Sequence, residues 1–434
     1  MSNESVYTQF KTRLEKFAHQ DKRTRLAPQD LTVELLEAIA PRSSELTKHL
    51  GWYQHWLDKQ LLPIRSSLRD CLQGFDAANE DNWQLCVAQL WKGVAERSRA
   101  DKLATVDSIV EDLVKHKILK RDVKTSLGRQ IVFALLGWQT MLWKSDIGNC
   151  PPSQICIEDE MDGFAGQSSL VFRQEQCHCA KPLSELLMSF GVILPSPRFW
   201  THDEDKEQAS LGSLSTVSSS TLNAHLLMSM AKQFKIEWTD ILTHHLEYDS
   251  LKGKLFLYRF PSFCLSNIDE TTDSVIYTCA QSTLKPISPF WATTTDITTL
   301  LQETLQSYRL LFGQTKAARK YYRTLRPFPR PSNLTADELL HELCGRKRCE
   351  LTVACEKESY DLDEDFPMYK NRLVVLANAL AKEKPRTWKQ LWHDKRDSAQ
   401  WLTFWLVLVI GGIGLILQFT QVVLALISTI FDLH

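Results

Sequence analysis

The densest group of titratable side chains lies between residues 240 and 249, where two histidines and three carboxylates occur: Asp240, His244, His245, Glu247 and Asp249. Histidine and carboxylate groups can exchange protons with a substrate near neutral pH, so this group is a candidate for acid–base catalysis. On a helix, His244 and His245 would point about 100° apart and could not hold one ligand. The candidate catalytic residues are His245, Glu247 and Asp240.

Cysteine and histidine side chains also cluster at Cys177-His178-Cys179, with Cys150 and Cys156 earlier in the chain. Three consecutive residues cannot easily all turn towards one tetrahedral ion, and zinc sites favour ligands that are two to four residues apart. His341 and Glu342 begin the zinc-protease pattern, but Gly345 stands where the second histidine would be. The sequence therefore predicts no metal site.

Composition and motifs restrict the possible functions further. The sequence contains no phosphate-binding loop, no serine nucleophile elbow and no dinucleotide-binding glycine pattern. It has 51 Lys and Arg against 52 Asp and Glu, a formal net charge of −1, so no overall field favours nucleic acid. Its 11 cysteines in 434 residues are too few for a disulfide scaffold. We therefore predict no cofactor and no nucleic-acid partner.

A run of basic residues ends the predicted helix at residues 295–325, and its members are Lys316, Arg319, Lys320 and Arg323. Cations at a helix C-terminus interact favourably with the helix dipole, and this alone can explain them. The alternative is contact with phosphate groups at a membrane surface, since the chain also contains a membrane-spanning pattern. These four residues are the candidate headgroup-binding residues.

The last part of the chain, residues 398–431, contains no Asp, Glu, Lys, Arg or His. A helix rises about 1.5 Å per residue, so this run is long enough to cross a hydrocarbon layer of about 30 Å. The sequence predicts a transmembrane anchor. The alternatives are a buried helix at an oligomer interface and a helical hairpin bent at its glycines.

The residues that flank this run predict its orientation. Basic residues lie upstream, whereas only Asp432 and His434 are ionisable downstream, which favours a cytosolic N-terminal region. Residues 1–22 have the composition of a chain without a signal peptide. We expect a tail-anchored, single-pass protein of the endomembrane system rather than of mitochondria. The candidate residues at the membrane interface are Trp388, Trp392, Lys395, Arg396, Trp401 and Trp405.

Three glycines, Gly411, Gly412 and Gly414, lie inside the apolar run. Small residues allow membrane helices to approach closely, so these glycines are candidate helix-packing residues and homo-oligomerisation is a possible role. Their spacing is not the four-residue repeat of strong dimers, and a kink is the alternative.

The pattern of apolar residues predicts an α+β fold: a helix-rich cytosolic region with a small antiparallel β element, followed by one C-terminal transmembrane helix. A buried helix is predicted at residues 131–143, a helix at 224–246 and a hairpin at 248–263. The predicted regions are an N-terminal helical region at 1–125, an apolar helix with short strands at 126–200, a Ser/Thr-rich flexible loop at 201–223, a helix, hairpin and long helix at 224–331, a linker with juxtamembrane helices at 332–397 and the anchor at 398–431.

Several sequence blocks carry a resemblance to known proteins, and they lie between residues 120 and 430: 128–143 with Gly137-Trp138-Gln139-Thr140, Trp238-Thr239-Asp240, His245-Leu246-Glu247, 260–264, 307–314, Tyr360-Asp361-Leu362, Asp365-Phe366-Pro367 and 388–405. In combination the chain resembles an uncharacterised filamentous-fungal protein family with a single C-terminal transmembrane segment. The resemblance implies this topology and a fungal source, and it implies no catalytic residue because the family has no assigned activity. Leu402 departs from the aromatic residue that is more frequent there in the family.

The sequence thus predicts a tail-anchored membrane protein that acts as a protein- or headgroup-binding module, or scaffold, on the cytosolic face. Its expected partners are the lipid bilayer, another protein and a second copy through the transmembrane helix. The alternative is an enzyme at the membrane face that uses His245, Glu247 and Asp240.

Overall fold

The structure of the protein is a computed structural model, and it describes residues 51–74, 80–122, 125–158, 172–191, 194, 214–230, 234–268, 274–281, 292–328, 336–349, 351, 354, 356–382 and 398–432. The chain is helix-rich, with small sheets and one apolar C-terminal helix. In chain order, the described α-helices are α1 Gly51–Cys71, α2 Glu80–Ala100, α3 Val106–Lys115, α4 Thr125–Thr140, α5 Leu183–Phe190, α6 Ala224–Met230, α7 Pro261–Ser266, α8 Val275–Ala280, α9 Thr294–Tyr308, α10 Lys316–Tyr322, α11 Glu338–Gly345, α12 Leu362–Asp365, α13 Lys370–Lys382 and α14 Ser398–Asp432.

Within the described ranges, seven short strands form three sheets: β1 Gln154–Cys156, β2 Arg173–Glu175, β3 Thr216–Val217, β4 Lys235–Thr239, β5 Tyr248–Asp249, β6 Lys254–Tyr258 and β7 Tyr360–Asp361. The β1–β2 and β3–β7 pairs are antiparallel. In the third sheet, β6 lies in the middle, antiparallel to β5 and parallel to β4. The hairpin predicted at residues 248–263 is confirmed as β5 and β6 as far as Tyr258, whereas Pro261 already begins α7.

The core of the N-terminal part forms around α4, which is buried on nearly all sides. A helix that is apolar all round belongs in an interior, and the buried helix predicted at residues 131–143 is thereby confirmed as far as Thr140. Helices α1, α2, α3 and α8 all contact it. Thr105 caps α3 by accepting a hydrogen bond from the backbone N–H of Ser108 at 3.0 Å.

The helix predicted at residues 224–246 is confirmed for Ala224–Met230 and is wrong from Phe234 onward. Strand β4 begins at Lys235, and a 3-10 turn at Leu242–His244 follows it. Residues 234–238, Phe-Lys-Ile-Glu-Trp, alternate between apolar and polar side chains, and this period of two favours a strand over a helix. The strand then places the candidate catalytic residues in a loop instead of on one helix.

The long helix predicted at residues 295–325 is divided in two. Thr293 caps α9, and its hydroxyl accepts a hydrogen bond from the backbone N–H of Asp296 at 3.1 Å. A π-helical turn at Arg309–Gly313 ends α9, and Thr315 then caps α10. Turns of this kind widen the helix by one residue and often mark functional or strained positions.

The C-terminal helix α14 contains the segment Leu402–Leu426, which has a mean hydropathy of 2.2 and is 0% buried. By length and composition, this helix could cross a membrane. The predicted interface residues Trp388, Trp392, Lys395 and Arg396 lie outside the described residues. Trp401 and Trp405 fall within the first turns of α14.

Candidate functional site

The candidate catalytic residues lie in the loop that leaves β4 and enters β5. Leu246 has a backbone φ of 65°, a left-handed conformation that costs about 1–2 kcal/mol for a residue with a side chain. This turn allows the N–H of Leu246 to donate to the backbone carbonyl of Phe256 at 2.8 Å. The N–H of Phe256 donates to the backbone carbonyl of Glu247, also at 2.8 Å. The loop is therefore fixed to β6 at its end.

At the start of the loop, Asp240 is buried and engaged through both carboxylate oxygens. The indole N–H of Trp56 donates to Oδ2 at 2.7 Å. The guanidinium of Arg259 forms an ion pair with Oδ1, and the same side chain donates to the carbonyl of Pro327 at 3.2 Å. Asp240 thus links α1 to Arg259, which directly follows β6, and Arg259 in turn contacts the segment after α10.

His245 is completely buried and lies beside a serine. Its Nδ1 accepts the backbone N–H of Tyr258 at 3.1 Å, so the ring proton belongs on Nε2. Nε2 then donates to the hydroxyl of Ser307 at 2.7 Å, and this hydroxyl donates to the carbonyl of Thr304 at 2.8 Å. In a catalytic pair, the serine hydroxyl would donate its proton to the imidazole, and the serine would be accessible to a substrate. Burial, with Arg372 nearby, holds the pKa of His245 well below its usual value.

Glu247 forms a separate contact, an ion pair with Arg372 of α13. The guanidinium of Arg372 also donates to the carbonyls of Thr243 at 2.8 Å and His245 at 2.5 Å. Burial and the same arginine lower the pKa of His244 to about 3, so this imidazole is neutral at physiological pH. The structure therefore gives Asp240, His245 and Glu247 three different sets of internal partners, and all three side chains are buried.

Two further carboxylates, which the sequence analysis did not identify, stabilise helix starts in the core. Asp337 caps α11 by accepting the N–H of Leu339 at 2.9 Å and also accepts the N–H of Ser262 at 2.7 Å. Glu303 of α9 accepts the N–H groups of Met368 at 2.9 Å and Tyr369 at 2.8 Å, directly before α13. Burial raises the pKa of Asp337 to about 6 and that of Glu303 to about 8.

A buried arginine in the π-helical turn joins the end of α11 to α9. Arg309 is 0% exposed and donates to the carbonyls of Leu343 at 2.6 Å, Arg346 at 2.9 Å and Lys347 at 3.1 Å. It also forms an ion pair with Glu356. Carbonyls at a helix C-terminus lack partners within the helix, so this guanidinium acts as a cap from another part of the chain.

The four candidate headgroup-binding residues lie on and just after α10. Lys316, Lys320 and Arg323 are exposed, whereas Arg319 is half-buried. Arg319 donates to the carbonyl of Gly313 at 2.6 Å, and Arg323 donates to the carbonyl of Gly345 at 3.2 Å. The two lysines thus point to solvent, and the two arginines also stabilise the fold.

The candidate helix-packing residues lie on the exposed helix α14. A Cβ placed on Gly411, Gly412 or Gly414 would meet nothing within 4 Å. Close packing at these positions thus requires another helix. In the part of the chain that the structure describes, no group of three His, Cys, Asp or Glu side chains is arranged to hold a metal ion.

Four of the sequence blocks that carry the family resemblance, at 238–240, 245–247, 307–314 and 360–362, are joined by contacts in the core. His245 contacts Ser307, Trp238 packs against Phe312 with ring centroids 6.4 Å apart, and Gln314 hydrogen-bonds Tyr360. No protein-family model, curated protein or solved structure matches the chain. The resemblance therefore stays a prediction, and function is argued below from the residues of this chain.

Proposed function

We propose that the protein is a single-pass membrane protein anchored by α14, and that the remaining chain is a protein- or headgroup-binding module on the cytosolic face. The observation that carries this proposal is the exposure of α14. No residue of the segment Leu402–Leu426 is buried, and large side chains such as Leu415 and Phe419 are 69% and 71% exposed. A helix of this composition is stable in hydrocarbon and not in water.

The proposed orientation rests on the basic residues upstream of α14, which are Lys382, Lys384, Arg386, Lys389, Lys395 and Arg396. Lys and Arg near the end of a span favour the cytosolic side of a membrane. Residues 427–434, which follow the apolar segment, contain no Lys or Arg, and we therefore place the protein in the endomembrane system rather than in mitochondria.

Binding is favoured over catalysis by the location of the polar side chains. The imidazole of His245 and the carboxylates of Asp240 and Glu247 bond to other groups of the chain, and burial keeps both histidines neutral. A general base has to reach a substrate proton, and no accessible histidine–carboxylate pair is found among the described residues of the 240–249 loop. The exposed cations of α10 are available to a partner at the membrane.

An N-glycosylation assay tests both the anchor and its orientation. We expect the full-length protein in microsomes to resist alkaline carbonate extraction and to remain unglycosylated at the acceptor Asn333-Leu334-Thr335. A copy with an added acceptor sequence after residue 434 should gain one glycan that an endoglycosidase removes.

A matched variant isolates the contribution of the apolar helix. Leu415→Arg/Leu417→Arg places two charges near the middle of the span, each at a cost of about 2.5–3.5 kcal/mol, and should abolish both extraction resistance and glycosylation. Lys92→Arg, an exposed position on α2, should change neither. Glycosylation at Asn333 would reverse the proposed orientation, and a protein that carbonate releases would contradict the anchor.

We further propose that α14 pairs with α14 of a second copy. At about 100° per residue, Gly411, Gly414, Gln418, Gln421 and Ala425 fall within an arc of about 80°. The two glutamines are exposed on the helix, and a carboxamide in hydrocarbon is costly without a hydrogen-bond partner. A carboxamide is both donor and acceptor, so identical faces complement one another, and the glycines permit close approach.

Energy transfer between two differently labelled copies in membranes tests this pairing. Gln418→Leu/Gln421→Leu should reduce the transfer to the level of an unrelated membrane protein. Thr420→Val is the control, because Thr420 lies on the opposite side of α14 and its hydroxyl bonds to the carbonyl of Ile416 at 2.8 Å. Equal transfer in the double glutamine variant and the wild type would exclude this face.

A further inference from the structure

Two cysteine thiols meet beside strand β1. Cys150 lies in the loop before β1, and Cys156 is the last residue of that strand. Their thiol groups interact directly through a side-chain hydrogen bond. Cys150 is partly exposed, whereas Cys156 is only 4% exposed. A reagent in solution can therefore reach one thiol of the pair, and the other is reached through the first.

Backbone hydrogen bonds hold the two cysteines in this position. The N–H of Asp146 donates to the carbonyl of Cys156 at 3.0 Å, which fixes the loop to the end of β1. The N–H of Gln154 donates to the carbonyl of Pro151, also at 3.0 Å, and closes the turn between the cysteines. The chain thus folds back on itself and returns Cys156 to Cys150.

The carbonyl of Gln154 accepts the thiol proton of Cys150, with a sulfur–oxygen distance of 3.1 Å. The same carbonyl accepts the side-chain amide of Gln130 at 2.9 Å and that of Gln176 at 3.4 Å. Removal of the thiol proton would leave this oxygen with two donors, so no buried acceptor would lose its last partner. The local structure therefore tolerates oxidation of Cys150.

We propose that Cys150 and Cys156 form a reversible disulfide, so that this loop is an oxidation site of the protein. The oxidant is a small-molecule disulfide such as glutathione disulfide. In a reducing cytosol the pair would stay as thiols, and accumulation of the oxidant would convert it. The bond would fasten the loop to β1, which packs against α4. This inference goes beyond the proposed function and does not depend on the anchor.

The reaction consists of two exchange steps. The thiolate of Cys150 attacks one sulfur of the oxidant, a glutathione thiolate leaves, and a mixed disulfide remains on Cys150. The thiolate of Cys156 then attacks the sulfur of Cys150, and the second glutathione leaves. The protein loses two electrons and two protons, and the oxidant gains them as two thiols. Cys150 attacks first because it is the more exposed member of the pair.

The surroundings of Cys150 control the rate of the first step. Burial raises the pKa of this thiol above its ordinary value of 9.0, and Cys156 and Asp146 raise it further, whereas Gln130 opposes the rise. Since only the thiolate attacks, the rate should increase about tenfold for each pH unit between pH 7 and pH 9. Thiols of high pKa are also poor leaving groups, so other thiols should reduce the disulfide slowly.

Differential alkylation of the full-length protein in mild detergent tests the proposal. Both cysteines lie in the tryptic peptide of residues 145–173, which contains no other cysteine. After incubation with glutathione disulfide and denaturation, we expect both to be protected from iodoacetamide together. The peptide should carry no glutathione and should be lighter by the two hydrogen atoms lost, and dithiothreitol should restore both thiols. The fully buried Cys279 should stay reduced throughout.

Single serine variants test the order of attack. Cys156→Ser removes the second thiol, so Cys150 should retain one glutathione as a mixed disulfide. Cys150→Ser removes the more exposed thiol, so Cys156 should react at least about tenfold more slowly than Cys150 does, because it has to wait for local opening. Cys177→Ser is the matched control, since it removes an exposed cysteine elsewhere and should leave oxidation of the pair unchanged.

Two results would overturn the proposal. The first is a lasting glutathione adduct on Cys150 of the wild type with Cys156 open to alkylation, because the second thiol would then not reach the first. The second is oxidation of Cys177 at pH 9 with no change at the pair. Near-UV circular dichroism checks that each serine variant is folded, and carbonate extraction reports on the anchor separately.

Discussion

Replacing Arg309 by methionine is expected to lower the free energy of unfolding by about 3–5 kcal/mol, because three carbonyl oxygens would lose their donor at about 1–3 kcal/mol each, reduced where water enters. These carbonyls, of Leu343, Arg346 and Lys347, lie at the end of α11 and in the residues directly after it. Methionine fills a similar volume without a charge, so the loss of stability would not arise mainly from a cavity. Unfolding of the full-length protein in mild detergent, followed by near-UV circular dichroism, measures the loss.

Gly313 provides a second, coupled variant. A Cβ on Gly313 would overlap the guanidinium carbon of Arg309 and would lie 2.6 Å from its Nε. Gly313→Ala should therefore be strongly destabilising in the wild type and much less so when residue 309 is methionine, whose chain can move away. The double-mutant cycle isolates this pair, since contacting residues are not additive.

The matched control is Gly148→Ala, where a new Cβ would meet nothing within 4 Å and the change should stay within about 0.5 kcal/mol. If Gly313→Ala cost the same with and without Arg309, the guanidinium would not lie over Gly313. If Arg309→Met were neutral, the end of α11 would not depend on this arginine.

The elements with strong periodicity were predictable from the sequence. The charge-free C-terminal run gives an exposed apolar helix over Leu402–Leu426, and α4 is buried because its apolar residues cover every side. The predictions that were wrong concern segments whose secondary structure depends on a tertiary contact. Strand β4 pairs in parallel with β6, which lies 15 or more residues further along the chain, and no local signal encodes that partner.

The polar core illustrates the same limit for the candidate residues. The density of titratable side chains in the sequence identified Asp240, His245 and Glu247. Their partners Arg259, Ser307 and Arg372 are far away or unremarkable in the sequence. The sequence contains one signal for a buried charge. Arg309 is followed directly by Leu-Leu-Phe, and a charge within such an apolar run has to be buried or paired. Which groups pair with such a charge is set by the fold and cannot be read from spacing.

A pH-dependent loss of stability is the second large effect that we expect, and Glu303 causes it. Burial raises the pKa of this carboxyl from its ordinary value of 4.5 to about 8, although two backbone N–H groups partly oppose the shift. Between these pH values the folded protein keeps a proton that the unfolded chain has lost. Raising the pH therefore favours unfolding, by up to about 1.4 kcal/mol per pH unit from this group.

The direction of this pH effect and its pH range follow from the protonation of Glu303 in the folded and in the unfolded chain. The contribution of Glu303 to stability is fully present below pH 4.5, falls as the pH rises and levels off above about 8, where both states are ionised. His244 acts in the opposite direction between about 3 and 6.5, because burial lowers its pKa and the unfolded chain holds the extra proton. The two windows overlap, so the wild-type profile alone does not isolate Glu303.

Comparison with Glu303→Gln isolates this carboxyl, because a carboxamide resembles the protonated acid and does not titrate. One of the two N–H groups, of Met368 or Tyr369, then loses its acceptor, at a cost of about 1 kcal/mol. The variant should be less stable than the wild type at pH 5 and more stable at pH 8.5, so the two profiles should cross. Glu96→Gln, at an exposed position of α2, should follow the wild type throughout. Parallel profiles for Glu303→Gln and wild type would mean that Glu303 is ionised in the folded protein, with the N–H groups before α13 outweighing its burial.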